Sequence, residues 1–111
     1  MNVLIQRLVN AIIRQEGEPE TALNPGNLRG APWISNPAIA AGFWVPSSRA
    51  EGIAGAAHVV SLHIAEGNTL TQLISIWAPP SDGNDTAAYI ADVKIWASIP
   101  DENQPLWNFI L

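Results

Sequence analysis

The chain contains no cysteine, which excludes a disulfide framework, a thiolate nucleophile and a cysteine-based zinc site. Basic residues are scarce as well: five Lys and Arg stand against ten Asp and Glu, a formal net charge of −5. Nucleic acid and anionic membranes are recognised by concentrated basic patches. The five basic residues are scattered along the chain, so neither partner is expected, whereas a neutral polymer such as a glycan remains open. No apolar run is long enough to span a bilayer, and the opening MNVLIQRLVNAII lacks the clustered basic residues and small-residue cleavage site of a secretory signal. The expectation is a soluble chain without membrane insertion and without a signal peptide. Both histidines, His58 and His63, fall on one predicted helix at a spacing that does not make them face each other. The serines have no neighbouring His/Asp arrangement, and there is no glycine pattern that would cradle a phosphate. We expect no metal and no cofactor.

What is present is a greasy globular composition. Across 111 residues, 48% are apolar and 14% charged, with five tryptophans. That length supports one core, so residues 1–111 are read as a single domain. Apolar Ile5, Leu8, Val9, Ile12 and Ile13 recur at helical spacing, with Asn2 as candidate N-cap and Gly17 just past the end. Residues 18–48 carry five prolines and three glycines. Long regular structure is not expected there, though a short hairpin or helical turn fits.

A second helix opens at Ser48-Arg-Ala-Glu51, spelled as a capping box, and runs to about Glu66 with Ile53, Ala57, Val60 and Ile64 on one face. A third begins at the capping box Thr69-Leu-Thr-Gln72 and buries Leu70, Leu73, Ile74 and Trp77 before Pro79-Pro80 stops it. A fourth, capped by Asp85 or Thr86, carries Tyr89, Ile90, Val93 and Trp96 and ends before Pro100. Trp107, Phe109, Ile110 and Leu111 make the tail apolar enough to dock back. The expected fold is mainly α, a small domain of about four helices with a long structured loop after the first.

Glu16 stands out. It lies four residues after Ile12 and seven after Val9, near the middle of the apolar stripe. It also sits at the end of the helix where the dipole disfavours a negative charge. Partial burial acts in the same direction, so the expected result is a raised pKa and a carboxylic acid that keeps its proton near neutral pH. Glycoside cleavage needs such a general acid, to protonate the leaving oxygen as an oxocarbenium-like state forms. A frayed helix end with a solvated Glu16, or one paired with Arg14 or Arg29, is the competing account.

The runs AIIRQEGEPETALNPGNLRG, FWVPSSRAEGIAGA and LTQLISIWAPPSDGNDTAAYI follow one another in the order seen in a phage-type group of lysozyme-like muramidases. Over most of the chain, from about Leu8 to Trp96, it resembles the single-glutamate branch of the lysozyme superfamily that includes goose-type lysozymes and lytic transglycosylases. The resemblance implies that Glu16 is the catalytic acid. It further implies that Asn24, Gly26, Asn27 and Arg29 form the loop shaping a sugar cleft, and that Asn84 and Tyr89 face the acid from a later helix. Turn formation competes for Asn24 and Asn27, and core packing for Tyr89. The implied partner is the glycan strand of peptidoglycan, cleaved by a monomer. The implied setting is a phage or prophage protein, made in the host cytoplasm and reaching the wall through a holin or as a virion component.

Two features depart from that pattern. APWISNPAIAAG is short and apolar where such enzymes often carry a polar sheet or hairpin, and the net charge is negative where many wall-lytic enzymes are basic. A second carboxylate is not singled out among Glu18, Glu20, Glu51, Asp82 and Asp85. Glu18 and Glu20 flank a proline and are expected to be solvated, while Glu51 and Asp85 are explained as helix caps. A one-glutamate mechanism is therefore preferred, completed by water or by the sugar itself. The alternatives are a non-catalytic glycan-binding or structural virion module on the same fold, and a chitinase-like enzyme.

Overall fold

The computed structural model describes residues 2–110, and its architecture is mainly helical. Four α-helices follow in order: α1 (Val3–Glu16), α2 (Arg49–Ala65), α3 (Leu70–Trp77) and α4 (Thr86–Trp96). Between α1 and α2 lies the long loop, which contains a minimal antiparallel hairpin of β1 (Ile39–Ala40) and β2 (Phe43–Trp44). Ala41 and Gly42 connect the two strands with φ of 52° and 81°. Two left-handed residues in a two-residue turn match the right-handed twist of a hairpin, and glycine takes the second at no steric cost. The short hairpin that the sequence allows in this loop is thus present, only two pairs long and apolar.

The caps follow from the sequence. The Asn2 side chain accepts from the Ile5 N–H, and the Gly17 N–H, in left-handed conformation, donates to Ile13 O. Thr69 and Gln72 form a reciprocal capping box, and Asp85 rather than Thr86 caps α4 through the Ala88 N–H. At α2 the Ser48 side chain accepts from the Glu51 N–H, but Glu51 turns its carboxylate to the Ser47 N–H and hydroxyl. The capping box spelled by Ser48 and Glu51 is therefore only half made.

Burial refines the stripes. On α1 the fully covered residues are Leu4, Leu8, Val9, Ala11 and Ile12, with Ile5 and Ile13 at the margins. α1 packs against α2 and α4, and α3 against α4, around Leu8, Ile12, Val60, Leu73, Ile74 and Val93. α2 meets the loop through its small residues: a Cβ on Gly52 would lie 1.8 Å from Leu23 O, and one on Gly55 2.5 Å from the Trp44 ring. Leu28, Ala31 and Trp44 form a second small cluster that seats the loop on α2 and Trp77. The tail docks chiefly through Leu106, which is fully buried and donates its N–H to Asn68 O. Phe109 packs at the edge of the core, while Trp107 and Ile110 stay about half exposed. The expectation for Leu111 lies outside the described residues.

Candidate functional site

Glu16 is the last residue of α1, and the left-handed Gly17 behind it turns the chain into the loop. The carboxylate is half-buried and held from two sides. Asn27 Nδ2 donates to Oε1 at 2.9 Å, and the Tyr89 hydroxyl donates to Oε2 at 2.9 Å. One partner comes from the loop and the other from α4, 73 residues away in the chain. Tyr89 itself is buried. Burial first, then the Glu16 charge and the hydrogen bond to it, hold the Tyr89 hydroxyl far above the ordinary tyrosine range. It therefore keeps its proton at any physiological pH. A hydroxyl can also accept, so Tyr89 can follow Glu16 through both of its protonation states.

In front of Glu16 opens a polar cleft of about 210 Å³. Glu16 and Asn27 form one side, Trp77 and Ala78 contribute from the end of α3, and Arg29, Phe43, Asp82 and Asn84 complete it. The Arg29 guanidinium stacks over the Phe43 ring at 4.3 Å and approaches Asp82 Oδ2 at 3.7 Å, both charged groups well exposed. Asn84 Nδ2 donates to Pro79 O at 3.1 Å, which steadies the turn leading into α4. One side of the cleft thus offers an acid with oriented partners. The remainder offers an indole, a stacked guanidinium and two polar side chains suited to hydroxyl and amide groups.

Of the residues implied by the resemblance, Glu16, Asn27, Arg29 and Asn84 converge on this cleft, and Tyr89 backs Glu16 from the core. Asn24 does not. Its Nδ2 donates to Leu28 O and Trp44 O, both at 2.9 Å, and its Oδ1 accepts from the Leu28 N–H. Every side-chain polar atom of Asn24 is spent on tying the loop together, as its turn-forming account predicts. Gly26 is also buried in the support: its carbonyl accepts from Trp77 Nε1 at 2.9 Å, and a Cβ there would lie 3.2 Å from the indole.

Sequence reasoning missed the cleft roles of Trp77 and Phe43. Trp77 continues the apolar stripe of α3, so its periodicity marks it as core, and only the loop's position reveals its second use. Asp82 was one of five undistinguished acids, and it is the one placed in the cleft. Glu18 is exposed as expected, yet it too accepts from Asn27 Nδ2, at 3.0 Å. Glu51 and Asp85 are occupied as described at the starts of α2 and α4.

Larger concavities lie elsewhere. One of about 690 Å³ follows the outer side of α4 past Ile90, Ile95 and Ile99, flanked by the Lys94–Glu102 ion pair at 2.6 Å. Size favours it, but its two charged groups already pair with each other and the rest of its lining is largely apolar, so the chemistry favours the smaller cleft. Another of about 220 Å³ adjoins the cleft, sharing Asn27, Arg29 and Trp77 and reaching His63. Among the described residues no three His, Cys, Asp or Glu side chains group as metal ligands. No known protein family, no curated protein and no solved structure matches this chain.

Proposed function

We propose that this chain is a muramidase that cleaves the β-1,4 bond between N-acetylmuramic acid and N-acetylglucosamine in peptidoglycan, with Glu16 as its single acid/base. The observation that carries the proposal is the double hold on Glu16. A carboxyl at a helix end, half-buried on the wall of a polar cleft, receives one hydrogen bond from a loop amide and one from a buried tyrosine. A merely solvated helix terminus needs neither partner. Both fix the carboxyl in place, which is what proton delivery to a bound glycosidic oxygen requires.

In this scheme Glu16 gives its proton to the leaving oxygen, and the C–O bond breaks as positive charge develops on the sugar ring. The carboxylate left behind is stabilised by Asn27 and Tyr89, whose donors already point at it. Glu16 then takes the proton of the incoming nucleophile. If that is water, a reducing end results; if it is the sugar's own C6 hydroxyl, a 1,6-anhydro product results. Residues of the cleft would bind the strand, with Trp77 and Phe43 offering apolar faces to pyranose rings and Asn84 a polar contact to hydroxyl or N-acetyl groups. The genetic setting implied by the resemblance, a phage lysis or virion protein, is part of the same proposal.

Clearing of purified peptidoglycan by wild type and by Glu16→Gln tests it. The substitution keeps the shape and removes the transferable proton, so clearing is expected to fall at least 100-fold. Equal clearing by both proteins sinks the assignment of Glu16. Wild type that binds peptidoglycan without clearing it points instead to a glycan-binding module, and activity on chitin oligomers alone points to a chitinase-like enzyme.

A further inference from the structure

Two glutamates separated by one residue on a helix project in different directions. Here they converge, because the helix ends at Glu16 and the left-handed Gly17 folds the chain back. Glu18 is thereby brought to the same amide that holds Glu16. Asn27 Nδ2 lies 2.9 Å from Glu16 Oε1 and 3.0 Å from Glu18 Oε1. An amide nitrogen carries two hydrogens, so each carboxylate takes one and the nitrogen is fully spent. Asn27 itself is set by the loop. It has φ of 52°, a left-handed conformation that asparagine tolerates better than most residues, and its N–H closes a turn onto Asn24 O at 3.0 Å.

We propose that Glu18 is a positioning residue for Glu16, acting through Asn27. The inference rests on Glu16 being the acid/base. Its physical content concerns the orientation of one amide. Rotating the Asn27 carboxamide by half a turn would aim Oδ1, an acceptor, at two carboxylates instead of one. Glu18 adds a second repulsion against that orientation and a second hydrogen bond in favour of the working one. The N–H directed at Glu16 is then already in place when Glu16 loses its proton and its charge appears. Donors oriented in advance stabilise developing charge without reorganisation at the moment of reaction. Glu18 is not among the residues lining the cleft, so its effect falls on turnover rather than on substrate affinity.

The test compares Glu18→Ala, Glu18→Gln and Glu20→Ala on soluble glycan strands. Glu18 is exposed, so all three variants are expected to fold, and Glu20→Ala removes an equal charge from the same exposed stretch. Glu18→Ala is expected to lower kcat about tenfold, the rate equivalent of one hydrogen bond to a charged group, with KM within about twofold. Glu18→Gln retains a side-chain carbonyl for the Asn27 N–H but not the charge that repels the flipped amide, so it recovers part of that loss, while Glu20→Ala matches wild type. The Asn27 side-chain amide signals in a nitrogen–proton correlation spectrum are expected to move in Glu18→Ala and to stay in Glu20→Ala. A kcat for Glu18→Ala equal to that of Glu20→Ala, a loss confined to KM, or no rescue by glutamine overturns the proposal. If wild type shows no turnover, the acid/base reading of Glu16 falls first. Unchanged Asn27 signals in Glu18→Ala then overturn the orienting role of Glu18 independently.

Discussion

At the scale of single residues, the loop assigns different work to two asparagines three positions apart. Asn24 makes three hydrogen bonds to backbone groups, of Leu28 and Trp44. Asn27 spends its amide on two carboxylates at the cleft. The same residue type in the same NPGN run therefore predicts opposite phenotypes. Asn24→Ala leaves the Leu28 N–H and the Trp44 carbonyl without partners and removes one of the two donors to the Leu28 carbonyl, which keeps the Trp44 N–H, and each net hydrogen bond is worth about 1 kcal/mol. Chemical denaturation is expected to show a loss of about 2–3 kcal/mol for Asn24→Ala. Asn27→Ala puts alanine at a left-handed φ that asparagine tolerates better, a strain of about 1 kcal/mol, and otherwise removes one half-buried and one exposed hydrogen bond. It is expected to lose only about 1 kcal/mol of stability while clearing falls at least tenfold. A large destabilisation by Asn27→Ala with no change in clearing per folded molecule would reverse the two roles.

At the scale of elements, the decisive packing is between α2 and the loop that carries Asn27. Glycine inside a helix costs about 0.8–1.0 kcal/mol relative to alanine, and α2 holds two in its first two turns, Gly52 and Gly55. Both are buried. A Cβ on Gly52 would meet the Leu23 carbonyl oxygen at 1.8 Å, a backbone atom that cannot rotate away. Close approach of the loop therefore overrides helix propensity. Gly52→Ala is expected to destabilise by about 2 kcal/mol or more by denaturation, although alanine is the better helix former. It is also expected to weaken clearing, because Leu23 is joined directly to the Asn24 anchor. A Gly52→Ala protein more stable than wild type would show that the loop does not lie against α2 in this way. The sequence could not reveal this contact. Helix positions, caps and stops were legible from Asn2, Thr69, Asp85 and Pro79, all acting within a few residues of themselves. The fit of Leu23 on Gly52, the Trp77 indole on Gly26 and the Tyr89 hydroxyl on Glu16 spans long stretches of chain, and no local pattern encodes it. Glu16 was legible only because a carboxylate on an apolar stripe is a local anomaly. Asp82 and Phe43 carry no such anomaly and became visible only once the loop and α3 were brought together.

At the scale of the whole molecule, folded stability is coupled to pH through a group outside the Glu16 cleft. His63 lies on α2 beside Asn68, whose Nδ2 donates to its Nδ1 at 2.7 Å, a bond that requires an unprotonated Nδ1. Burial pulls the His63 pKa below its ordinary 6.5, and the neighbouring Glu66 charge opposes that only in part. The folded state thus binds fewer protons than the unfolded state at pH values between the folded pKa and about 6.5, and there stability rises with pH. Going down from neutrality, stability contributed by neutral His63 is full above about 6.5 and is lost as pH falls toward the folded pKa. Below that value both states carry the proton and this contribution no longer changes. Acid sensitivity from carboxylates such as Glu102, whose pKa Lys94 depresses, sets in at lower pH, because a lowered carboxylate pKa matters only below about 4.5. The two causes therefore separate on the pH axis. Thermal melting between pH 5 and 8 is expected to show a fall in Tm on acidification that His63→Gln flattens, since glutamine does not titrate. Wild type and His63→Gln losing Tm in parallel over that range would place the coupling elsewhere. The Asn68 and His63 pair also adjoins the tail, because Asn68 O accepts the Leu106 N–H. Protonation at His63 should accordingly loosen the seat of Leu106 before it affects the Glu16 end of the molecule. Amide protection, taken relative to the intrinsic exchange rate at each pH, that falls first at Leu106 as pH drops from 7 to 5.5, with Tyr89 still protected, is the order this arrangement requires.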